Sequence, residues 1–396
     1  MNRRVFIHAA AGTAAGLLGL RAGRARAAPA AAPGGSLLPP ESQRKLIVVV
    51  FGGGTRYSES IGDPEHRHVP RLWNEMVPAG VLFDNVRVDG RIVHTNCTAS
   101  ILTGHREYDD DNDWSRPVAN PTVFERVRKS RRSPDTDAWS FVYASILARC
   151  AESTAAGFGA AYAANVVEPP TISRAVAEQM TAKMQAAARS GSIEAELAAA
   201  RQCAELARSG SGISRGGLRS DDARRFLEIR YDAWRGGAGT TSHDAFLADA
   251  AVACMERFAP SVLAVAFGEI DCAHYGSWSR YVEAIRRTDE LTWRIWRAAE
   301  TLDAYRGRTL MLVLPDHGRE LDRPGGMGFI HHSDFYTGSD VDEGCRRVWM
   351  LALGAGVAAG RTIRRPVPAL AAAATGLEYL GLKASPGAGS SLLDAL

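Results

Sequence analysis

Paired cysteines are missing from this sequence. Its six cysteines, Cys97, Cys150, Cys203, Cys254, Cys272 and Cys345, are scattered, and none belongs to a Cys-x-x-Cys pair. That excludes zinc-ribbon and thioredoxin-type motifs. In a chain of 396 residues, isolated cysteines read as small buried hydrophobes rather than a disulfide framework. Also lacking, beyond the N-terminal region, is any apolar run of the roughly 18 residues that a membrane helix needs. The stretch after Met350 is broken by Arg361, Arg364 and Arg365, so no membrane anchor is expected. Excess basic charge is absent from the body of the chain. The formal charge of +3 belongs to residues 1–27, where Arg3, Arg4, Arg21, Arg24 and Arg26 stand without an acid. The remainder is mildly acidic, which argues against a nucleic-acid partner. The run Gly52-Gly53-Gly54 is not followed by Gly-Lys-Ser/Thr, so it is not a Walker loop.

What is present begins with a targeting pattern. Arg3-Arg4-Val5-Phe6-Ile7 is a twin-arginine start, an apolar stretch runs from Ala9 to Leu20, and Ala25-Arg26-Ala27 is an Ala-x-Ala cleavage signal. Together they predict a twin-arginine (Tat) signal peptide over 1–27 and a periplasmic or secreted protein. The Tat machinery carries folded chains, which suits a protein that takes up a metal before export. Residues 28–43, rich in Ala, Pro and Gly, read as a flexible leader.

Four runs then read as strands buried on both faces: Leu46–Phe51, Val262–Phe267, Thr309–Leu314 and Val348–Leu353. None alternates with polar residues, as expected of a mostly parallel central sheet. Helical patterns lie between them, so the predicted class is α/β with helices on both faces. An amphipathic helix near Trp278–Tyr305 predicts Trp278, Tyr281, Ile285, Leu291 and Trp296 in the core. The Ala-rich stretch 171–209 reads as one or two helices, and 210–240, rich in Gly, Ser and Arg, as a mobile loop. The expected organisation is an α/β core over 44–149 and 241–396, with a largely helical insertion or cap over 150–240.

Acid and histidine groups follow two of these strands. They are Glu269-Ile270-Asp271-Cys272-Ala273-His274 and Asp316-His317-Gly318, and His331-His332-Ser333-Asp334 follows a Gly-rich loop. Ligands of open α/β sheets bind beyond the carboxyl ends of strands. Carboxylate and imidazole donors there suit zinc, manganese or iron. His66 and His68 lie in a charged loop and are expected to be solvated. Asp109–Trp114 is an acidic loop without the spacing of a calcium-binding EF-hand.

At these residues the chain resembles the alkaline phosphatase-like superfamily, which includes sulfatases, nucleotide pyrophosphatases/phosphodiesterases and cofactor-independent phosphoglycerate mutases. Val69-Pro70-Arg71-Leu72-Trp73 and Gly80-Val81-Leu82-Phe83-Asp84-Asn85 are similar to its sulfatase-type opening. Ala99-Ser100-Ile101-Leu102-Thr103-Gly104 is similar to the segment that follows its nucleophile, and Asp316-His317-Gly318 to its Asp-His-Gly metal ligands. The resemblance covers roughly 44–145 and 258–360. It implies that Asp271, His274 and His331 or His332 hold one divalent metal, and Asp316 and His317 a second. The ion would be zinc, with manganese or calcium as alternatives. A helix-start nucleophile is implied at Thr95, with Asn96 beside it contacting the anion; a gap-free count from Gly104 puts His94 there instead. The implied activity is metal-dependent hydrolysis of a small anionic phosphate or related sulfo ester.

Two departures qualify this. The modification motif of formylglycine sulfatases is absent around Cys97. The metal-binding Asp expected after the first strand is replaced by Gly52-Gly53-Gly54-Thr55-Arg56. Glu59 could replace that ligand, Arg56 could clamp the anion beside a single metal, or the site is degenerate and the chain is a binding protein. Sulfatase-like or phosphomutase-like chemistry is a further alternative.

Overall fold

The computed structural model describes residues 38–110, 113–236, 242–332 and 342–396. The expected signal peptide, most of the leader, Asp111, Asn112, Ser333 and Asp334 lie outside the described residues. Two compact units divide the described chain: residues 172–212 and the remainder.

The larger unit is built on one sheet. Its strands are β1 (Lys45–Val50), β2 (Gly80–Arg87), β3 (Ala138–Val142), β4 (Asn165–Val167), β5 (Val262–Ala266), β6 (Thr309–Leu314), β7 (Arg347–Gly354), β8 (Arg361–Ile363) and β9 (Val367–Pro368). The order is β8-β2-β7-β6-β1-β5-β3-β4, with β9 also paired to β2. β7 is antiparallel to both β2 and β6, and the other pairings are parallel. The central strand shows why its sequence does not alternate. Ile47, Val49 and Phe51 enter one apolar core, and Leu46, Val48 and Val50 enter the other. Both faces are dry, so every position must be apolar.

Helices cover the sheet. They are α1 (His94–Thr103), α2 (Val123–Arg131), α5 (Asp221–Arg235), α6 (His243–Phe258) and α7 (Trp278–Thr301), while α3 (Arg174–Ser190) and α4 (Ile193–Ser209) form the smaller unit. In that hairpin Gly191 makes the turn at φ 67°, and the Ser173 and Ser192 side chains cap the two N-termini. A left-handed residue at a helix end favours glycine. The hairpin lies inside the expected 150–240 insertion.

The structure differs from expectation at several places. The segment 210–240, expected as a mobile loop, contains α5. Ser220 caps its start, and Phe226, Leu227, Tyr231 and Trp234 are buried along one stripe, so helical periodicity outweighed the Gly/Ser composition around it. β2 is not among the four runs that read as strands buried on both faces, and it is interrupted by a bulge between Phe83 and Val86. His68 is buried, and His66 stacks on Trp73 at 3.5 Å rather than lying free in solvent. Trp278, expected in the core, is 44% exposed. All six cysteines are unpaired, and five are buried. No helix among the described residues is long and apolar enough to cross a membrane.

The geometry that positions the site is the register of three neighbouring strands. Val50 at the end of β1 stands level with Ala266 on β5 and Leu314 on β6. The loops leaving all three therefore emerge side by side on one edge. β7 braces this edge from beside β6. Its Trp349 is fully buried, meets Phe51 edge-on at 5.4 Å and donates to Ser60 Oγ at 2.9 Å. Trp349→Ala should therefore cost about 3–5 kcal/mol of stability, and Trp349→Phe distinctly less. The urea unfolding midpoints of the two variants check this; equal midpoints for Trp349→Ala and wild type would contradict it.

Candidate active site

Asp316 and His317 follow β6, Asp271 and His274 lie on the loop after β5, and His94 opens α1. The described structure brings all five together with His332. His94 Nδ1 lies 2.6 Å from Asp316 Oδ2, and 3.0 Å from His317 Nε2. His94 Nε2 is 3.2 Å from Asp271 Oδ1, without the alignment of a hydrogen bond. His274 Nε2 lies 3.1 Å from the same Asp271 oxygen. The His332 ring stacks on His317 at 4.4 Å and lies 4.8 Å from that of His274.

The sequence left two alternatives open, and the geometry separates their members. His332 joins the cluster, whereas His331 meets Glu320 at 2.5 Å. His94 carries the contacts to Asp316 and Asp271, whereas Thr95 has its Oγ1 buried without a hydrogen-bond partner. Asn96 accepts a hydrogen bond from Trp114 Nε1 at 3.0 Å.

Arg56 and Glu59 stand elsewhere. The Arg56 guanidinium binds both Glu59 oxygens, at 2.5 and 2.9 Å, and Asp322 at 3.0 Å. Tyr281 donates to Glu59 at 3.2 Å. These two residues, considered above as anion clamp and replacement ligand, neutralise one another in a buried ion pair. A buried charge requires such a partner.

The cation facing the cluster is one the sequence reading missed, Arg319. It is fully buried and follows Asp316-His317-Gly318 directly. Its Nε donates to the Gly54 carbonyl at 2.8 Å, and one terminal nitrogen donates to the Gly53 carbonyl at 2.7 Å and to Asp271 at 2.6 Å. Gly53 and Gly54 adopt φ values of 90° and 72°, which glycine alone visits readily. A Cβ on Gly54 would lie 2.9 Å from the His317 ring and 3.2 Å from Arg319 Nε. The glycine run thus presents carbonyl oxygens to a cation, where the resemblance implies a carboxylate. The basic residue just beyond Asp-His-Gly was the available sequence signal.

Burial and charge set the protonation states. Burial opposes charge on His94, yet the nearby Asp316 and Asp271 carboxylates raise it to about 9. Asp316 is held down to about 2, because the neighbouring His317 and His94 and the Gly54 N–H outweigh its burial. Asp271 lies far below the usual carboxylate range; contacts from His274, His94 and Arg319 overcome its burial. Burial pushes His317 down to about 4, and burial with the neighbouring cations holds His332 far below its ordinary value. His317 Nδ1 donates to the Gly318 carbonyl at 2.8 Å, which turns an unprotonated Nε2 towards His94.

These residues fit a divalent metal. The His94, His317 and His332 donors lie within 4.8 Å of one another, and so do those of Asp271, His274 and His332. Two buried imidazole nitrogens, His94 Nε2 and His332 Nδ1, have no hydrogen-bond partner. Buried polar nitrogens rarely go unpaired. Neutral imidazole with carboxylate is a zinc-type donor set. Below the cluster, the fully buried Asp244 on α6 accepts from Gly268 N and Glu269 N, both at 2.9 Å. It thereby fixes the loop that carries Asp271.

No family model and no curated protein matches the sequence. Similarity appears among solved structures. Ps i-CgsB, crystallised with k-i-k-neocarrahexaose, is 14% identical, with 89% of this chain and 76% of that one covered and a TM-score of 0.54. The phosphonate monoester hydrolase of Agrobacterium radiobacter is 14% identical over 88% and 76%, with a TM-score of 0.51. The PsFucS1 sulfatase from Pseudoalteromonas sp. is 13% identical over 86% and 68%, with a TM-score of 0.50. The chain has an alkaline phosphatase-like α/β fold.

His94 gives a direct test. The Asp316 and Asp271 carboxylates hold the proton on His94 up to about pH 9, and a divalent ion that competes for those acids favours its loss. Zinc binding at pH 8 should therefore release close to one proton for each ion taken up. Calorimetry in buffers of different ionisation enthalpy measures the release. A value near zero would mean that His94 stays an imidazolium with metal bound.

Proposed function

We propose that this chain is an exported hydrolase of small phosphate or sulfate esters that works with one divalent metal and with Arg319 as its second cation. The observation that carries the reading is the convergence of Asp271, His274 and His332, whose donor atoms lie within 4.8 Å of one another, beside the buried Arg319. Asp271, His274 and His332 would hold the ion, with His317 and Asp316 adjoining. When bound, a divalent metal polarises the phosphoryl or sulfuryl oxygens of the ester. Zinc suits the donors best.

The protein's own residues supply the rest. Arg319 is fixed by two carbonyls and a carboxylate, so its charge needs no reorganisation during reaction. Preorganised positive charge of that kind stabilises the charge that develops on a transferring group. The resemblance implies Thr95 as the nucleophile and a gap-free count puts His94 there; the contacts of His94 with Asp316 and Asp271 favour His94. Attack by a His94 ring nitrogen would form a bond to phosphorus or sulfur as the ester oxygen leaves. Water would then release the acid and restore the imidazole. Asp316 on Nδ1 orients that ring, as a carboxylate does for a catalytic histidine. The Arg3-Arg4 start and Ala25-Arg26-Ala27 support Tat export to the periplasm or beyond. The 150–240 segment is proposed as the inserted cap.

A non-catalytic binding protein is the second reading, favoured by the missing carboxylate after β1. Metal analysis and turnover separate the two. The hydrolase reading expects about one metal per chain and cleavage of 4-nitrophenyl phosphate or sulfate. Arg319→Met should lower kcat by about 10²–10³-fold with the metal retained, and Asp316→Ala should abolish turnover. A chain that binds no metal and cleaves neither ester would support the binding-protein reading, and an active Asp316→Ala would remove the site assignment.

A further inference from the structure

The cluster opens to solvent on one side. The side chains of His317, Asp316, His332 and His94 are 0%, 1%, 7% and 12% exposed, whereas those of Asp271 and His274 are 32% and 41% exposed. A substrate held at the cluster therefore projects its remaining atoms past His274. The residues met there are apolar. Tyr275 and Trp278 follow His274, and Met327, Phe329 and Ile330 precede His332. Tyr275 is 82% exposed, Met327 55% and Trp278 44%.

The two segments pack against each other. Trp278 meets Phe329 edge-on at 5.2 Å, and Phe329 stacks on Tyr281 at 5.4 Å. A Cβ on Gly276 would lie 3.9 Å from Ile330 Cγ2. Most neighbouring charges are paired among themselves, His331 with Glu320, Arg56 with Glu59 and Asp322, and Arg323 with Asp342, while Arg280 stands exposed on the first turn of α7. The paired groups add little free charge or hydrogen-bonding capacity to the rim. A concentration of exposed aromatic and thioether side chains beside a polar site marks a binding surface, and these side chains offer flat, adaptable apolar contact.

We propose that residues 275–278 and 327–330 form a leaving-group subsite that takes an aryl or other bulky apolar group, so that the substrate is an aryl-type ester rather than a saccharide ester. This rests on the hydrolase reading. The rim lies on the open side of the cluster, which selects the substrate's own apolar part as the occupant over a second copy of the chain.

Two phosphonates separate the head group from the rim. Calorimetric titration of zinc-loaded protein should show phenylphosphonate binding at least about tenfold tighter than methylphosphonate, the effect of burying a phenyl ring. In the double variant Tyr275→Ser/Met327→Ser the ratio should fall to about threefold or less, with methylphosphonate affinity unchanged. Equal binding of the two by the wild type, or a ratio untouched in the variant, overturns the inference while the hydrolase reading stands. A wild type that binds neither phosphonate overturns both. Concentration-dependent dimerisation lost in the variant, together with equal phosphonate binding, assigns the patch to a second copy and also overturns it.

Discussion

The arrangement at this site depends on one buried guanidinium. Arg319 is removed from water completely, and a charge so placed is tolerated only where bonds and counter-charge replace its hydration. Here the replacements come from three loops. The loop after β1 gives the Gly53 and Gly54 carbonyls, the loop after β5 gives Asp271, and the segment before His332 gives the Phe329 carbonyl at 3.4 Å. Arg319 itself stands three residues beyond Asp316. One side chain thus ties together the segments that carry Asp271, Asp316, His317 and His332.

That role accounts for the feature least expected of the fold. The resemblance implies an acid directly after the first strand, and the chain has three glycines there. An acid side chain at Gly54 would meet the His317 ring and Arg319 Nε. The backbone must also turn through left-handed conformations to aim its carbonyls inward. Where the resemblance implies a carboxylate for a metal ion, this chain has two glycine carbonyls bound to a guanidinium of its own.

Much of the scaffold was legible because its signals are local. The runs at Leu46, Val262, Thr309 and Val348 announced buried strands, since a two-faced sheet demands apolar residues at successive positions. Asp316-His317 and Asp271…His274 announced the site because short polar residues at strand ends converge there. The antiparallel direction of β7 left no mark, because a strand buried on both faces reads alike in either direction. Arg56 and Arg319 were indistinguishable as types; which one faces the cluster depends on where Glu59 and Asp271 sit in space. Trp278 shared the helical periodicity of α7, but at the first turn that periodicity faces a rim instead of a core.

Charge completes the argument. As the described residues stand, the Asp271 and Asp316 carboxylates face Arg319 and a His94 whose proton is held well above neutral pH. The cluster is then close to electrically neutral, with the imidazolium occupying the gap between the two acids. A divalent ion entering the cluster would compete for those acids and favour loss of the His94 proton, since like charges at such range in a low-dielectric site repel strongly. The exchange would leave the cluster with excess positive charge and would free a ring nitrogen of His94 in the same event. An anionic ester would be attracted only after that exchange. In the proposed function, metal loading would therefore switch His94 from a counter-ion into a nucleophile, and the neutral, metal-free cluster would hold the fold together until then.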